Sequence, residues 1–325
     1  SATCTAARED EIGDVAATDF CGYGELASDG EILAVLPDCL VLDRTPFYAE
    51  GGGQIADKGR ITGEGLAFEV EDVRKNPAGV FTHRGRFETG EARKGMRVRA
   101  EVGKNIRRPT ERHHTATHLL HAALRKVLGT HVGQAGSYVG PDRLRFDFTP
   151  PAPVAPKEME RIQEAVNRTL VRNLPVRSAE HPIEEARKMG AMAFFGEKYG
   201  SVVRVVEILP GLDEEDLLLS REFCGGTHVR ATGEIGFVRV LSESAVASGI
   251  RRIEAVAGDI ATESILADIG SLERLSLRLS VAPREAEARL EKLLEESAEI
   301  AKEIARLKAE RAMGGIEDLL AKRGG

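Results

Sequence analysis

At 325 residues the chain can hold more than one core, since single cores rarely grow beyond roughly 250 to 300 residues. A hydrophobic share of 42% and a charged share of 30% exclude a disordered chain, and a net charge of −7 excludes a surface that is basic throughout. Cys4, Cys21, Cys39 and Cys224 are too few and too unevenly placed for a disulfide framework. With no signal peptide and no run of roughly 20 apolar residues, a cytoplasmic protein without a membrane partner is expected.

Residues 1–19 carry almost no pattern. From 30 to 105 the sequence reads as short strands between glycine-rich turns: Ile32 to Leu36, Cys39 to Leu42, Gly59 to Thr62, Ala67 to Val73, Val80 to Arg86 and Met96 to Val102. Strands at this spacing predict a small β-barrel or sandwich, which makes 1–105 a first domain. At Arg107-Arg108-Pro109 the period changes. A proline in the first turn, then Leu119, Leu120, Ala123, Leu124, Val127 and Leu128, predict a helix closed by Gly129. After the proline-rich loop Thr149 to Pro156, helices are expected over Lys157 to Asn173 and Ile183 to Met189. Strands are expected at Leu144 to Phe148, Val202 to Ile208, Phe237 to Ser242 and Ile250 to Ala257. This mixture makes 106–258 an α+β domain. From 259 to 325 two helical runs flank Val281-Ala282-Pro283, the second with a heptad seam through Leu290, Leu293, Ser297, Ile300, Ile304 and Leu307. They predict a helical hairpin, or a coiled coil that pairs with a second copy of the chain, with Gly314-Gly315 and Gly324-Gly325 fraying the end. Arg107, Arg108 and Arg112 form one basic run and Arg251 with Arg252 another; each is a patch for phosphate or a solvated face.

Two separated motifs carry the chemistry. His114 and His118 lie four apart on a helix, so that both imidazoles can reach one ion. Cys224-Gly225-Gly226-Thr227-His228 brings a thiolate and a third imidazole together across glycines that permit a tight turn. Each motif alone is common in proteins without a metal; together they offer Cys and three His, a soft set that suits Zn2+. His113 is expected to face away from the metal, and His121 to pack or to support it. A metalloprotease would need a glutamate after the first histidine, where this chain has Thr115.

Five segments taken in order, Leu42 to Gln54, His114 to Leu124, Gly190 to Tyr199, Cys224 to His228 and Ala247 to Ala255, resemble the editing half of bacterial alanyl-tRNA synthetases. The resemblance spans residues 20–310. It implies deacylation of seryl- and glycyl-tRNA(Ala), with His114, His118, Cys224 and His228 holding zinc. It also implies that Gln54 lines the pocket and that Gly249 and Arg251, with Arg252, lie near the site or the tRNA. Discriminating serine from alanine calls for a polar group that alanine would leave unpaired, for which Gln54 and Thr117 are the candidates. The aminoacylation domain and a glycine-rich C-terminal domain, a second route to a homodimer, fall outside the resemblance. The chain is expected to be part of a larger ATP-using alanine–tRNA ligase. The alternatives are a free-standing trans-editing protein, a non-catalytic tRNA-binding module with structural zinc, and a tethering fragment dominated by 259–312.

Overall fold

A computed structural model of the chain describes residues 15–149, 152–193, 199–211 and 217–321. Cys4, the centre of the Gly190 to Tyr199 segment, two prolines of the loop after Thr149 and the Gly324-Gly325 ending lie outside the described residues. The described chain is α+β and forms two compact units, one ending at Thr262 and one beginning at Glu263.

The expected small β fold is a closed barrel. After a two-residue strand β1 (Asp19–Phe20) come β2 (Ala27–Leu36), β3 (Cys39–Leu42), a second short strand β4 (Arg44–Thr45), β5 (Gly59–Gly63), β6 (Leu66–Lys75), β7 (Phe81–Thr89) and β8 (Arg97–Val102). The barrel closes in the order β2-β3-β7-β6-β5-β8, while β1 pairs in parallel with β4 outside it. The pleat sets which side chains go inside: along β8, Val98, Ala100 and Val102 are buried while Arg97, Arg99 and Glu101 face water. Ile32, Leu40, Phe47, Ile61 and Phe68 fill the interior with no exposed surface.

Helix α1 (Lys104–Leu128) begins a turn earlier than the sequence predicts, so Pro109 lies inside the helix rather than in its first turn. No side chain caps its start. Arg107 fastens it instead. This side chain is fully buried, paired with the nearly buried Asp57, and donates to the carbonyl oxygens of Gly22 at 2.6 Å and Pro46 at 2.9 Å. Burial takes Arg107 out of the basic run, in which Arg108 pairs with Glu111 and Arg112 with Asp259.

After α1 follow β9 (Gln134–Val139), β10 (Leu144–Phe148), α2 (Pro156–Val171), β11 (Val176–Pro182), α3 (Ile183–Lys188), β12 (Val202–Ile208), β13 (Ser220–Phe223), β14 (Val238–Ala247) and β15 (Ile250–Ala257). They make a sheet in the order β14-β15-β10-β9 and a second in the order β11-β12-β13. The first sheet packs on α1 and α2 through Leu120, Leu124, Phe146, Phe148, Ile162 and Ile253. Strands β9, β11 and β13 escaped the sequence reading.

The glycine-rich run after Glu50 is more than a turn between strands. Gly52 and Gly53 take φ of 57° and 82°, a conformation that costs other residues energy, and the chain swings out of the barrel toward β9. There Val139 donates its N–H to the Gly53 carbonyl at 2.8 Å and Ile55 donates to the Val139 carbonyl at 3.1 Å.

In the second unit, α4 (Asp259–Leu279) and α5 (Ala286–Ala321) flank a short 3-10 turn, Pro283–Glu285. Gly314 and Gly315 do not end α5, which runs through them. Leu272, Leu275, Leu290, Leu294, Ile300, Ile304 and Leu307 are 43% to 62% exposed, so the two apolar stripes do not close on each other as a hairpin.

Candidate metal centre

From His113 to Leu124 every residue of α1 is buried, although six of the twelve are His or Thr. A buried polar side chain without a partner is costly, so each of these must be accounted for. His113 is complete: its Nδ1–H donates to the Gly140 carbonyl at 2.8 Å and Nε2 accepts the Ala257 N–H at 2.9 Å. It faces away from the metal motif, as expected.

The other three histidines of interest are complete on one nitrogen only. His114 Nδ1–H donates to Gln54 Oε1 at 2.7 Å, and His118 Nδ1–H to Glu222 Oε2 at 2.5 Å. The Thr115 hydroxyl is spent on the Glu111 carbonyl, so at 3.1 Å from His228 Nδ1 its oxygen accepts that N–H. Each Nε2 is thereby left with a lone pair. His114 Nε2 and His228 Nε2 lie 3.4 Å and 3.2 Å from Cys224 Sγ, and His118 Nε2 is buried with no hydrogen-bond partner. The three nitrogens and the sulfur all lie within 4.8 Å of one another.

This arrangement fits a metal ion. Tetrahedral bonds of about 2.0 to 2.3 Å set ligand atoms roughly 3.3 to 3.6 Å apart, close to the two sulfur–nitrogen separations. Burial opposes charge on Cys224, yet the imidazoles of His114, His228 and His118 outweigh it and hold the thiol well below its usual value. Burial, opposed by Cys224, pushes His228 down to about 3. Burial also disfavours charge on His118 and on Glu222, but each prevails for the other: the imidazole is raised and the carboxyl lowered. The second oxygen of Glu222 accepts from His121 Nδ1 at 2.8 Å, which makes His121 a support of the carboxylate and not a ligand.

Strand β13 and the loop after it carry two parts of the centre, since Glu222 and Cys224 alternate with Phe223 and so reach the same side. The loop is held by donors on three successive carbonyls. Arg204 of β12 donates to Cys224 O at 2.9 Å and Gly226 O at 2.8 Å, and the Tyr23 hydroxyl donates to Gly225 O at 2.8 Å. The guanidinium lies over the Tyr23 ring, 4.0 Å from its centroid. Gly226 is needed for room: a Cβ there would meet His114 Cε1 at 2.0 Å.

Gln54 is fully buried, and both ends of its amide are engaged, since Oε1 also accepts the Thr227 N–H at 2.9 Å and Nε2 donates to Thr227 Oγ1 at 2.9 Å. It buttresses His114 from behind. Thr117 lines a cavity of about 40 Å³ beside His114, His118 and Cys224, with its hydroxyl donating to the His113 carbonyl at 2.8 Å. Gly52, Gln134 and Ser137 complete the polar side of that cavity. Gly249 turns the β14–β15 hairpin at φ 73°, with Arg251 on Glu243 and Arg252 on Asp147 of its own sheet. Sequence reasoning missed a role for Thr115, Gln134, Ser137, Arg204 and Glu222; Thr115 lies inside the His114–His118 motif and Glu222 two residues before Cys224, while the other three stand apart from any motif.

The comparisons with known proteins agree with this geometry. Residues 18–106 match the family model described as "tRNA synthetases class II (A)", and residues 203–254 the one described as "Threonyl and Alanyl tRNA synthetase second additional domain". An alanine–tRNA ligase of Thermus thermophilus is 51% identical over 92% of this chain. Those of Acetivibrio thermocellus and Methylobacillus flagellatus are 43% and 44% identical over 94%. The chain spans 35% to 36% of the length of these curated relatives. Over the stretch they share, barrel and α+β part alike, the chain belongs to the alanyl-tRNA synthetase family.

Proposed function

We propose that the chain hydrolyses seryl- and glycyl-tRNA(Ala), with Zn2+ held by His114, His118, Cys224 and His228. The barrel to residue 105 and the α+β part from 106 to 258 act as one editing body. The observation that carries this reading is the small cavity opening directly beside the buried Cys/His group. The cavity is small, which suits a seryl or glycyl group better than a bulky one. Zinc held there supplies a Lewis acid and a lowered water pKa toward the ester of the terminal ribose. The protein's own part is to orient: Gln54, Glu222 and Thr115 fix the ring nitrogens, and Arg204 and Tyr23 fix the loop that bears Cys224.

The partner is tRNA(Ala), with Gly249, Arg251 and Arg252 of the hairpin as the proposed contact. The Glu243 and Asp147 carboxylates that hold these arginines would have to yield to phosphate. The exposed stripe of α5 is the proposed seam of a homodimer. We place the activity in the cytoplasm, where the thiols of Cys21, Cys39 and Cys224 stay reduced. No helix among the described residues is long and apolar enough to cross a membrane.

A second reading is favoured by the full donor count. Four protein ligands close a tetrahedral site, as in structural zinc, and the chain would then grip the tRNA end without chemistry. Hydrolysis of purified seryl-, glycyl- and alanyl-tRNA(Ala) by the chain and by Cys224→Ala, with zinc quantified in both, separates the two. Loss of serine and glycine but not alanine, abolished with the metal, is the expected result; bound zinc without deacylation would leave the binding module.

A further inference from the structure

Tyr23 sits in the turn between β1 and β2, and the chain around it is fixed. The Cys21 carbonyl accepts the N–H groups of Gly24 and Glu25, both at 3.2 Å, and the Gly22 carbonyl accepts from the buried Arg107 at 2.6 Å. The ring is fixed as well. Its hydroxyl is spent on the Gly225 carbonyl, and Arg204 lies over it. Phe20 meets it near a right angle at 4.9 Å and is itself stacked on Phe81 of the barrel at 5.4 Å. Tyr23 is nevertheless 50% exposed, the most of any Phe or Tyr among the described residues. A ring held this firmly and left this open is a preformed stacking surface, since little freedom remains to be lost when a second ring settles on it.

The backbone beside the ring is bare in a way the fold does not require. Gly226 is glycine because His114 leaves no room for a Cβ. Gly24 and Gly225 have no such reason. Apart from chain neighbours, a Cβ at either would meet nothing within 4 Å, and neither takes the positive φ that favours glycine. Both are exposed. Gly225 accepts the Tyr23 hydroxyl and also lines the cavity beside Cys224, so an uncovered strip of backbone leads from the Cys/His group to the ring. Bareness without an internal cause leaves room for something outside the chain.

The ester that an editing site cuts joins an acyl group to the terminal ribose of tRNA. With the acyl group in the cavity, the ribose lies at its mouth and the base one glycosidic bond further out. We propose that the open ring of Tyr23 stacks the base of the terminal adenosine, with the ribose passing over Gly225. This rests on the editing reading above only in bringing the tRNA end to the cavity. Stacking on a π-face tolerates any base, so Tyr23 supplies affinity and orientation and no choice of sequence. Arg204 holds the ring from behind while its hydrogen bonds hold the Cys224 loop, so base and loop share one anchor.

The test uses the full zinc-loaded chain with Tyr23→Leu, which removes the ring, and Tyr23→Phe, which removes only the bond to Gly225. Zinc content and melting temperature report folding for each. Uncharged tRNA(Ala) ending in 2-aminopurine riboside reports stacking without turnover, because that base loses fluorescence when it lies on an aromatic ring. Wild type and Tyr23→Phe should quench it and Tyr23→Leu should not. Tyr23→Leu should also raise the KM for seryl-tRNA(Ala) about 5- to 100-fold with kcat little changed. Equal quenching by wild type and Tyr23→Leu would overturn the proposal by placing the base elsewhere. Equal losses in both variants, with zinc lost from both, would overturn it by reducing Tyr23 to a prop of the Cys224 loop. Quenching by a wild-type chain that deacylates nothing would uphold the base site and sink the editing reading instead.

Discussion

His83 in the barrel and His118 in the α+β part are both buried, yet their surroundings ask different things of them. His83 Nδ1–H donates to the Leu40 carbonyl at 3.1 Å, and Nε2 accepts from the Thr45 hydroxyl at 2.7 Å, so the ring is closed on both sides as a neutral group. His118 is closed on Nδ1 by Glu222 and bare on Nε2, with His114, His228 and Cys224 converging on the same point. Depth of burial does not separate a packing histidine from a ligand. What separates them is an unspent second nitrogen that also converges with other donors on one point, since His121 Nε2 is likewise buried without a hydrogen-bond partner but lies outside the Cys/His group.

Removing the thiolate would break this contrast most severely. Cys224→Ala should lower zinc affinity by more than about a hundredfold, beyond the loss typical of an outer partner, as competition with a chromogenic chelator would read. Its melting temperature should match that of the metal-stripped wild type. Unchanged affinity would reduce the cluster to packed histidines around a thiol. The next largest effect tests whether the two parts stand independently. Asp57→Ala leaves the buried Arg107 with Glu111 at 3.6 Å as its remaining carboxylate and should cost about 3 kcal/mol in urea unfolding. A midpoint shared with wild type would mean that the barrel does not lean on α1.

The barrel's own histidine can be read by pH. Burial pushes His83 down to about 4, from 6.5 in the unfolded chain. Between those values the unfolded state binds more protons, so the stability at stake is complete above about pH 6.5 and is lost as pH falls toward 4. The loss is at most about 3 kcal/mol. It should appear as the difference in pH slope between wild type and His83→Gln, followed by urea unfolding from pH 7 to 4; equal pH slopes in both chains would contradict it. The gentlest change sharpens the contrast on the other side. Glu222→Gln keeps the volume beside His118 and removes the charge, and should weaken zinc binding about 10- to 100-fold. An affinity equal to wild type would make Glu222 a packing group.

The barrel strands were legible because alternation and turn glycines write them plainly, and the four members of the Cys/His group because imidazoles four apart and a thiol four before an imidazole are local patterns. Strand β9 was not legible: Gln134-Ala135-Gly136-Ser137 breaks alternation at its bulge and includes no apolar residue besides Ala135. Glu222 and Thr115 act through neighbours distant in sequence, so neither carries spacing to recognise. Arg107 misled for a related reason, since a guanidinium at the surface and one sunk onto a buried carboxylate look the same in sequence. The hairpin at the tail depended on tertiary closure that heptad spacing cannot specify.

The loop at Gly52 to Gln54 leaves the barrel to lie against β9 and behind His114, so neither half owns the cavity outright. A graft that moved only the α+β part into another protein would carry the ligands without the buttress behind one of them. A graft of the barrel alone would carry a loop with nothing to hold. Whatever exchange such chains undergo, natural or engineered, has to move both halves together or bring a foreign loop whose backbone fits the same strand.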